Sequence, residues 1–242
     1  MAAEPKVAQA GADGAALSGA VIALDLDGTL VDTAHDLIGT LNWLLAEEGV
    51  GALSLDEARP FIGRGARWMI ERGFQAAEAP LAPERVQPLF DRFIARYEAH
   101  IADESRPFPG AVAALETLKA RGAKLCVCTN KLTGLSTTLL DALDLTRLFD
   151  AVIGADSTPA VKPDPRHIEA AVAAVGGSMS RTVMVGDAAT DAGAARAAEV
   201  PLILVSFGYT EVPASELAPD ILIDRFDQLP DAVARLLGAG SP

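Results

Sequence analysis

A short apolar run, Val21 to Leu24, stops abruptly at two carboxylates one residue apart, Asp25 and Asp27, with Gly28 and Thr29 directly after them. The run has the length and bulk of a strand buried on both faces, as in a parallel sheet. Aspartate is expensive in such a place, because an unpaired charge in apolar surroundings costs several kcal/mol. Two of them at a strand end therefore imply a purpose. Open α/β sheets place their sites where the carboxyl ends of strands run out into loops. Two acids this close can divide attack and proton transfer between them, and they also suit a hard, oxygen-preferring cation such as Mg²⁺.

The rest of the chain alternates strand and helix patterns, with one interruption. Helical patterns cover about 33–48, 55–62, 64–74 and 83–102, with no convincing strand between them. Leu37, Leu41, Leu44 and Leu45 keep an apolar stripe at helical spacing, and Ser54 with Glu57 forms a candidate capping box. Pro107-Phe108-Pro109-Gly110 closes the helical block with a stiff turn. From Ala111 the alternation begins. Strands are expected at 123–128, 151–154, 181–185, 202–205 and 221–223, separated by helices near 111–121, 133–143, 165–175 and 189–199, with a last helix near 227–237. This pattern predicts an α/β fold, a Rossmann-like parallel sheet with helices on both faces. The helical block is too long for a loop, so a small helical cap is expected after the first strand. The division is a tail at 1–19, a core at 20–35 and 107–242, and a cap at 36–106.

The net charge of −13 argues against nucleic acid as a partner. It does not bar an anionic substrate, because a bound cation and local positive charge set the field inside a cleft. No segment approaches the roughly 18 consecutive apolar residues of a membrane span. The first 19 residues lack both the basic start and the apolar run of a signal peptide. Cys126 and Cys128 would share one strand face, where a disulfide across one residue is strained; buried free thiols fit a cytoplasmic protein.

Four strand ends carry chemistry when taken together. Asp25 and Asp27 follow the first strand, Thr129-Asn130 the 123–128 strand, Lys162-Pro163 the 151–154 strand, and Gly186-Asp187 through Asp191 the 181–185 strand. In a parallel sheet all four converge on one edge. A carboxylate can attack phosphorus and form an acyl phosphate. Hydroxyl, ammonium and backbone N–H groups can grip phosphate oxygens, and Mg²⁺ can offset the crowded negative charge.

The ordered set Asp25-Leu26-Asp27-Gly28-Thr29, Thr129-Asn130, Lys162-Pro163 and Gly186-Asp187 through Asp191 resembles the motifs of the haloacid-dehalogenase-like phosphohydrolases, over essentially residues 20–225. The helical block resembles that superfamily's small cap. Arg106-Pro107-Phe108-Pro109-Gly110, Gly63-Arg64-Gly65 and Phe207-Gly208-Tyr209 resemble its phosphoglycolate-hydrolysing branch. The resemblance implies that Asp25 is the nucleophile and Asp27 the proton donor and acceptor. It implies phosphate binding by Thr129 and Lys162, with Asn130 assisting. Mg²⁺ would be held by Asp25, the backbone carbonyl of Asp27, and Asp187, with Asp191 supporting the ion or orienting Lys162. Ala188 departs from the serine that many relatives carry there.

Arg59, Arg64, Arg67 and Arg72 cluster in the cap of an otherwise acidic chain, and Arg64 is the candidate reader of a substrate carboxylate. His35, His100 and His167 read as packing or surface residues, with His100 the one best placed for substrate contact. The expected activity is Mg²⁺-dependent hydrolysis of a small phosphomonoester, 2-phosphoglycolate first. A phosphosugar mutase or another small-phosphoester phosphatase would use the same residues. A phospho-accepting receiver domain also uses strand-end Asp, Thr and Lys-Pro, and its phosphate release would stop near one equivalent.

Overall fold

Each apolar run bounded by polar turns becomes a strand, and each stripe at helical spacing becomes a helix laid over it. The computed structural model describes residues 17–238. In chain order the elements are β1 (Val21–Leu24), β2 (Val31–Asp32), α1 (Ala34–Glu47), α2 (Leu55–Ala58), α3 (Ala66–Ala76), α4 (Pro83–Ala99), β3 (Arg106–Pro107), α5 (Ala111–Ala120), β4 (Lys124–Cys128) and α6 (Thr133–Ala142). They continue with β5 (Ala151–Ile153), α7 (Pro165–Ala174), β6 (Thr182–Gly186), α8 (Ala189–Ala197), β7 (Leu202–Val205), β8 (Ile221–Ile223) and α9 (Leu229–Leu236).

Six strands form one parallel sheet in the order β5-β4-β1-β6-β7-β8. β1 lies between β4 and β6, with Ile22 level with Leu125 on one side and Val183 on the other. The chain turns outward from β1 to β4 and β5, then crosses back to β6. That reversal opens a crevice at the carboxyl end of β1, where sheets of this kind bind their ligands. Alternate strand residues feed two cores. Ile22, Leu24, Leu125 and Val185 pack with Leu115 of α5, Leu139 of α6 and Val233 of α9. Val21, Ala23, Met184 and both cysteines pack with Ile168 and Val172 of α7 and Ala195 of α8. Cys126 and Cys128 are free and buried, on the same face as expected. Burial pushes the Cys128 thiol up to about 12.

Helices α1 to α4 form the block between β1 and β4. Leu37, Leu41, Leu44 and Leu45 of α1 are all buried, as the stripe predicts, against Met69, Ile70 and Phe74 of α3 and Leu89, Phe93 and Tyr97 of α4. Each large apolar side chain buried in this way contributes about 1.5–3 kcal/mol. The capping box forms: Ser54 N–H donates to Glu57 Oε2 at 2.8 Å, and Glu57 N–H donates to Ser54 Oγ at 3.3 Å. The carboxylate of Asp36 near the start of α1 accepts from the N–H and hydroxyl of Ser105, at 2.8 and 2.6 Å, fastening the block's exit to its entrance. No helix among the described residues is long and apolar enough to cross a membrane.

Two expectations change. The tail expected over 1–19 is too long, because Leu17 is fully buried and its N–H donates to the Arg121 carbonyl at 2.9 Å. Residues 1–16 of that tail lie outside the described residues. The helix expected over 55–62 stops at Ala58, and Arg59–Phe61 tightens into a 3₁₀ turn around Pro60. The structure adds two short strands, one on either side of the block. β2 and β3 pair antiparallel, Val31 with Pro107 and Asp32 with Arg106, so the chain leaves and re-enters the core side by side.

Candidate active site

The four predicted strand ends meet at the crevice. Asp25 caps β1, where its N–H donates to the Val185 carbonyl at 2.9 Å and its carboxylate accepts from Leu26 N–H at 2.7 Å. Lys162 Nζ, brought in by the turn before α7, lies 3.0 Å from Asp25 Oδ1 and 2.7 Å from Asp191 Oδ1. The other Asp191 oxygen accepts the N–H groups of Asp187 and Ala188 at 3.1 and 3.0 Å, at the amino end of α8 where a negative charge is favoured. Asp187 accepts from Thr29 Oγ1 at 2.8 Å and from Tyr209 N–H at 2.7 Å.

Two glycines make this approach possible. Gly28 has φ +81°, and a Cβ there would stand 2.6 Å from an Asp187 oxygen. At Gly208 a Cβ would come within 2.1 Å of Asp187 Cβ. Any side chain at either position would displace the carboxylate.

Carboxylate oxygens of Asp25, Asp187 and Asp191 all lie within 4.8 Å of one another, and all three residues are buried. A single ammonium, Lys162, cannot neutralise them. Desolvation raises the Asp25 pKa to about 6; Lys162 pulls it down and Asp191 pushes it further up. Desolvation also lifts Asp187 well above the ordinary carboxylate range, with Asp191 and then Asp25 adding to it. Burial works against the charge on Lys162, but Asp191 and Asp25 outweigh it and leave its pKa raised. An all-oxygen donor set with surplus negative charge fits a hard divalent cation.

Asp27 stands apart from this cluster. Its carboxylate accepts from Lys131 Nζ, at 3.0 Å to Oδ1 and 3.2 Å to Oδ2. Lys131 Nζ also donates to the Tyr97 hydroxyl of α4 at 2.9 Å, and its side chain is 4% exposed. Sequence reasoning missed Lys131 and Tyr97. Lysine after a strand end ordinarily reads as solvated, and the one available signal was its position directly after Thr129-Asn130. Asn130 braces its neighbours: Nδ2 donates to the carbonyls of Lys162 (3.0 Å) and Gly63 (3.1 Å), and Oδ1 accepts from Lys162 N–H at 2.9 Å. Thr129 is buried beside Asp25 and Asp27 on the wall of a cavity of about 230 Å³ that opens between the strand ends and the helical block. That volume is below the usual range of about 300–1,000 Å³ for ligand pockets and suits a small ester.

Arg64 lies at the mouth of this cavity, exposed, its guanidinium 4.9 Å from the Trp68 ring. His100 pairs with Asp103 at 2.7 Å and does not line the cavity. His35 reaches Glu104 at 3.6 Å on the surface. His167 is buried, with Nε2 3.1 Å from the Thr129 carbonyl and Nδ1 3.0 Å from the Ala160 carbonyl. Burial, and secondarily the nearby Lys162 charge, holds its pKa below the ordinary value. The unfolded chain therefore takes up this proton more readily than the folded protein. The stability that His167 confers is complete above the unfolded value of about 6.5 and is lost as pH falls below it. The drop in melting temperature between pH 7 and pH 5 should accordingly be smaller in His167→Gln than in the parent. Equal drops in the two proteins would refute the assignment.

Residues 22–205 match the family model described as haloacid dehalogenase-like hydrolase, and the chain belongs to that family. The match runs through the helical block, which sets the receiver reading aside. A phosphoglycolate phosphatase of Caulobacter vibrioides is 59% identical over 221 residues, covering 91% of this chain and 93% of the relative. One from Agrobacterium fabrum is 46% identical over 209 residues, covering 86% and 90%. Among solved structures, a predicted phosphoglycolate phosphatase from Haemophilus somnus superposes with a TM-score of 0.82 at 28% identity, covering 89% of this chain and 98% of that one. CbbY from Rhodobacter sphaeroides in complex with phosphate superposes with a TM-score of 0.76 at 25% identity, covering 89% and 99%.

Proposed function

We propose that the protein is a cytoplasmic, Mg²⁺-dependent phosphatase that hydrolyses 2-phosphoglycolate to glycolate and phosphate through an aspartyl phosphate. The observation that carries this reading is the Asp25 carboxylate, held 3.0 Å from a buried ammonium at the floor of a small cavity, beside two further carboxylates. The names of the relatives support the substrate. An Asp25 oxygen attacks phosphorus as the bond from phosphorus to the ester oxygen breaks. Asp27 gives that oxygen its proton and then removes one from the water that attacks the aspartyl phosphate. Phosphate leaves and Asp25 is restored. Proton transfer of this kind is worth about 10²–10⁴-fold in rate. Lys162 and Thr129 hold the phosphoryl oxygens, and Asn130 keeps the Lys162 backbone in place. Mg²⁺, held by Asp25, Asp187 and the Asp27 carbonyl with Asp191 in support, would supply positive charge against the carboxylates and the phosphoryl oxygens.

Steady-state phosphate release from 2-phosphoglycolate, sugar phosphates, nucleotides and pyrophosphate tests the substrate. The highest kcat/KM is expected for 2-phosphoglycolate, and a sugar phosphate that needs a bisphosphate primer for turnover would favour the mutase. Removing metal with excess chelator should abolish release. Returning Mg²⁺ at a hundred times its Kd should stabilise the fold by about 2.7 kcal/mol, read as a rise in Tm. Full activity in chelator would remove the carboxylate cluster from the mechanism.

A further inference from the structure

An ester oxygen protonated by Asp27 must lie within about 2.6–3.2 Å of that carboxylate. Whatever sits one carbon beyond the ester oxygen then faces the groups that flank Asp27. Lys131 is the cation bonded to Asp27, at 3.0 Å, and lines the cavity together with apolar side chains such as Phe93, Ile94 and Leu135. Its ammonium has three N–H bonds. The Asp27 carboxylate can occupy one across its two oxygens and the Tyr97 hydroxyl a second, leaving one for a ligand. The other cations of the site are less suited. Lys162 bridges Asp25 and Asp191 and in the proposed reaction holds the phosphoryl oxygens, at the phosphorus end of the ester. Arg64 and Arg67 are exposed and lie against the rings of Trp68 and Phe90. An ion pair formed at Lys131 is shielded from water, whereas one at either arginine is screened.

We infer that Lys131 reads the carboxylate of the substrate, with Tyr97 of the helical block holding its ammonium in place. This rests on the proposed phosphatase activity and locates selection for an acid ester on the core loop after β4. Arg64 at the mouth then attracts anions without discriminating among them.

The test measures binding in a turnover-free background, Asp25→Asn with Mg²⁺, by calorimetry. The two probes are 2-phosphoglycolate and ethyl phosphate, which carries a methyl group in place of the carboxylate. Adding Lys131→Met should weaken 2-phosphoglycolate about 10- to 100-fold, the worth of a hydrogen bond between charged groups. Ethyl phosphate should change by less than about 3-fold, which also reports that the site is intact. Lys131→Gln, which keeps a donor but no charge, should show the same selective loss if the methionine variant does not fold. Equal loss of both ligands would mean that Lys131 merely maintains the site, and would overturn the inference while leaving the phosphatase reading standing. A selective loss with Arg64→Ala in place of Lys131→Met would also overturn it. Failure is distinguishable at the level below: if the background protein with Lys131 intact shows no preference for 2-phosphoglycolate, the substrate reading falls and this inference with it.

Discussion

Asp25→Asn is expected to abolish phosphate release while leaving the fold intact. Asparagine has the same shape, and its amide oxygen can still accept the Leu26 N–H that Asp25 now accepts at 2.7 Å. Lys162 keeps Asp191 at 2.7 Å as a partner. What disappears is the proposed nucleophile, for an amide oxygen does not form a stable bond to phosphorus under these conditions. An enzyme that works through a covalent intermediate loses about 10⁴-fold or more in kcat with its nucleophile. Stability should move the other way. Burial raises the Asp25 pKa from 3.8 to about 6, so the folded protein holds this proton more tightly than the unfolded chain. The stability Asp25 confers is thus present below the unfolded value and lost as pH rises through about 6. Without metal, Asp25→Asn should melt higher than the parent above pH 6, with the gap closing toward pH 4. Turnover within tenfold of the parent would remove Asp25 from the role of nucleophile.

Lys162→Met should also silence the enzyme, but with the opposite effect on the fold. The Lys162 side chain is fully buried, 2.7 Å from Asp191 and 3.0 Å from Asp25. Methionine fills most of the space and leaves three carboxylates with no counter-charge. Removing one partner of a buried ion pair costs about 3–5 kcal/mol. In a domain of this size each kcal/mol is worth about 2–4 °C in Tm. The metal-free variant should therefore melt about 6–20 °C below the parent. Saturating Mg²⁺ should recover part of the loss, because a divalent cation restores positive charge to the cluster, yet phosphate release should stay absent. A variant melting within about 2 °C of the parent would show that the ammonium contributes little to holding the cluster together. The two substitutions together separate loss of chemistry from loss of structure.

The core of the site was legible because its residues sit at the ends of apolar runs, where local sequence alone marks them as out of place. Asp25, Thr129 and Asp187 each follow a recognisable buried strand, and parallel pairing does the rest. Lys131 was not legible, since its burial depends on Tyr97, a residue on a helix that only the folded chain brings near. The same holds for Tyr209, whose hydroxyl accepts from the N–H of Thr33 and Ala34 while its own N–H serves Asp187. Nothing around Phe207-Gly208-Tyr209 announces a partner so far away in sequence. β2 and β3 escaped for another reason. Strands of two residues carry no alternation to read, and they exist because they face each other. Leu17 was lost among alanines and glycines whose composition suggests a tail.

The pairing of Val31 with Pro107 and Asp32 with Arg106 puts both cut ends of the helical block at one seam. A different insertion could be grafted there without moving β1, β4 or β6. The entropy of closing the graft would rise by only about 0.6 kcal/mol for each doubling of its length. Such a chimaera would exchange the shape of the chamber above the strand ends while inheriting the host's chemistry. Lys131 belongs to the host but Tyr97 to the insertion, so the proposed preference for acid esters would travel with the core only where the graft supplies a hydroxyl in the place of Tyr97.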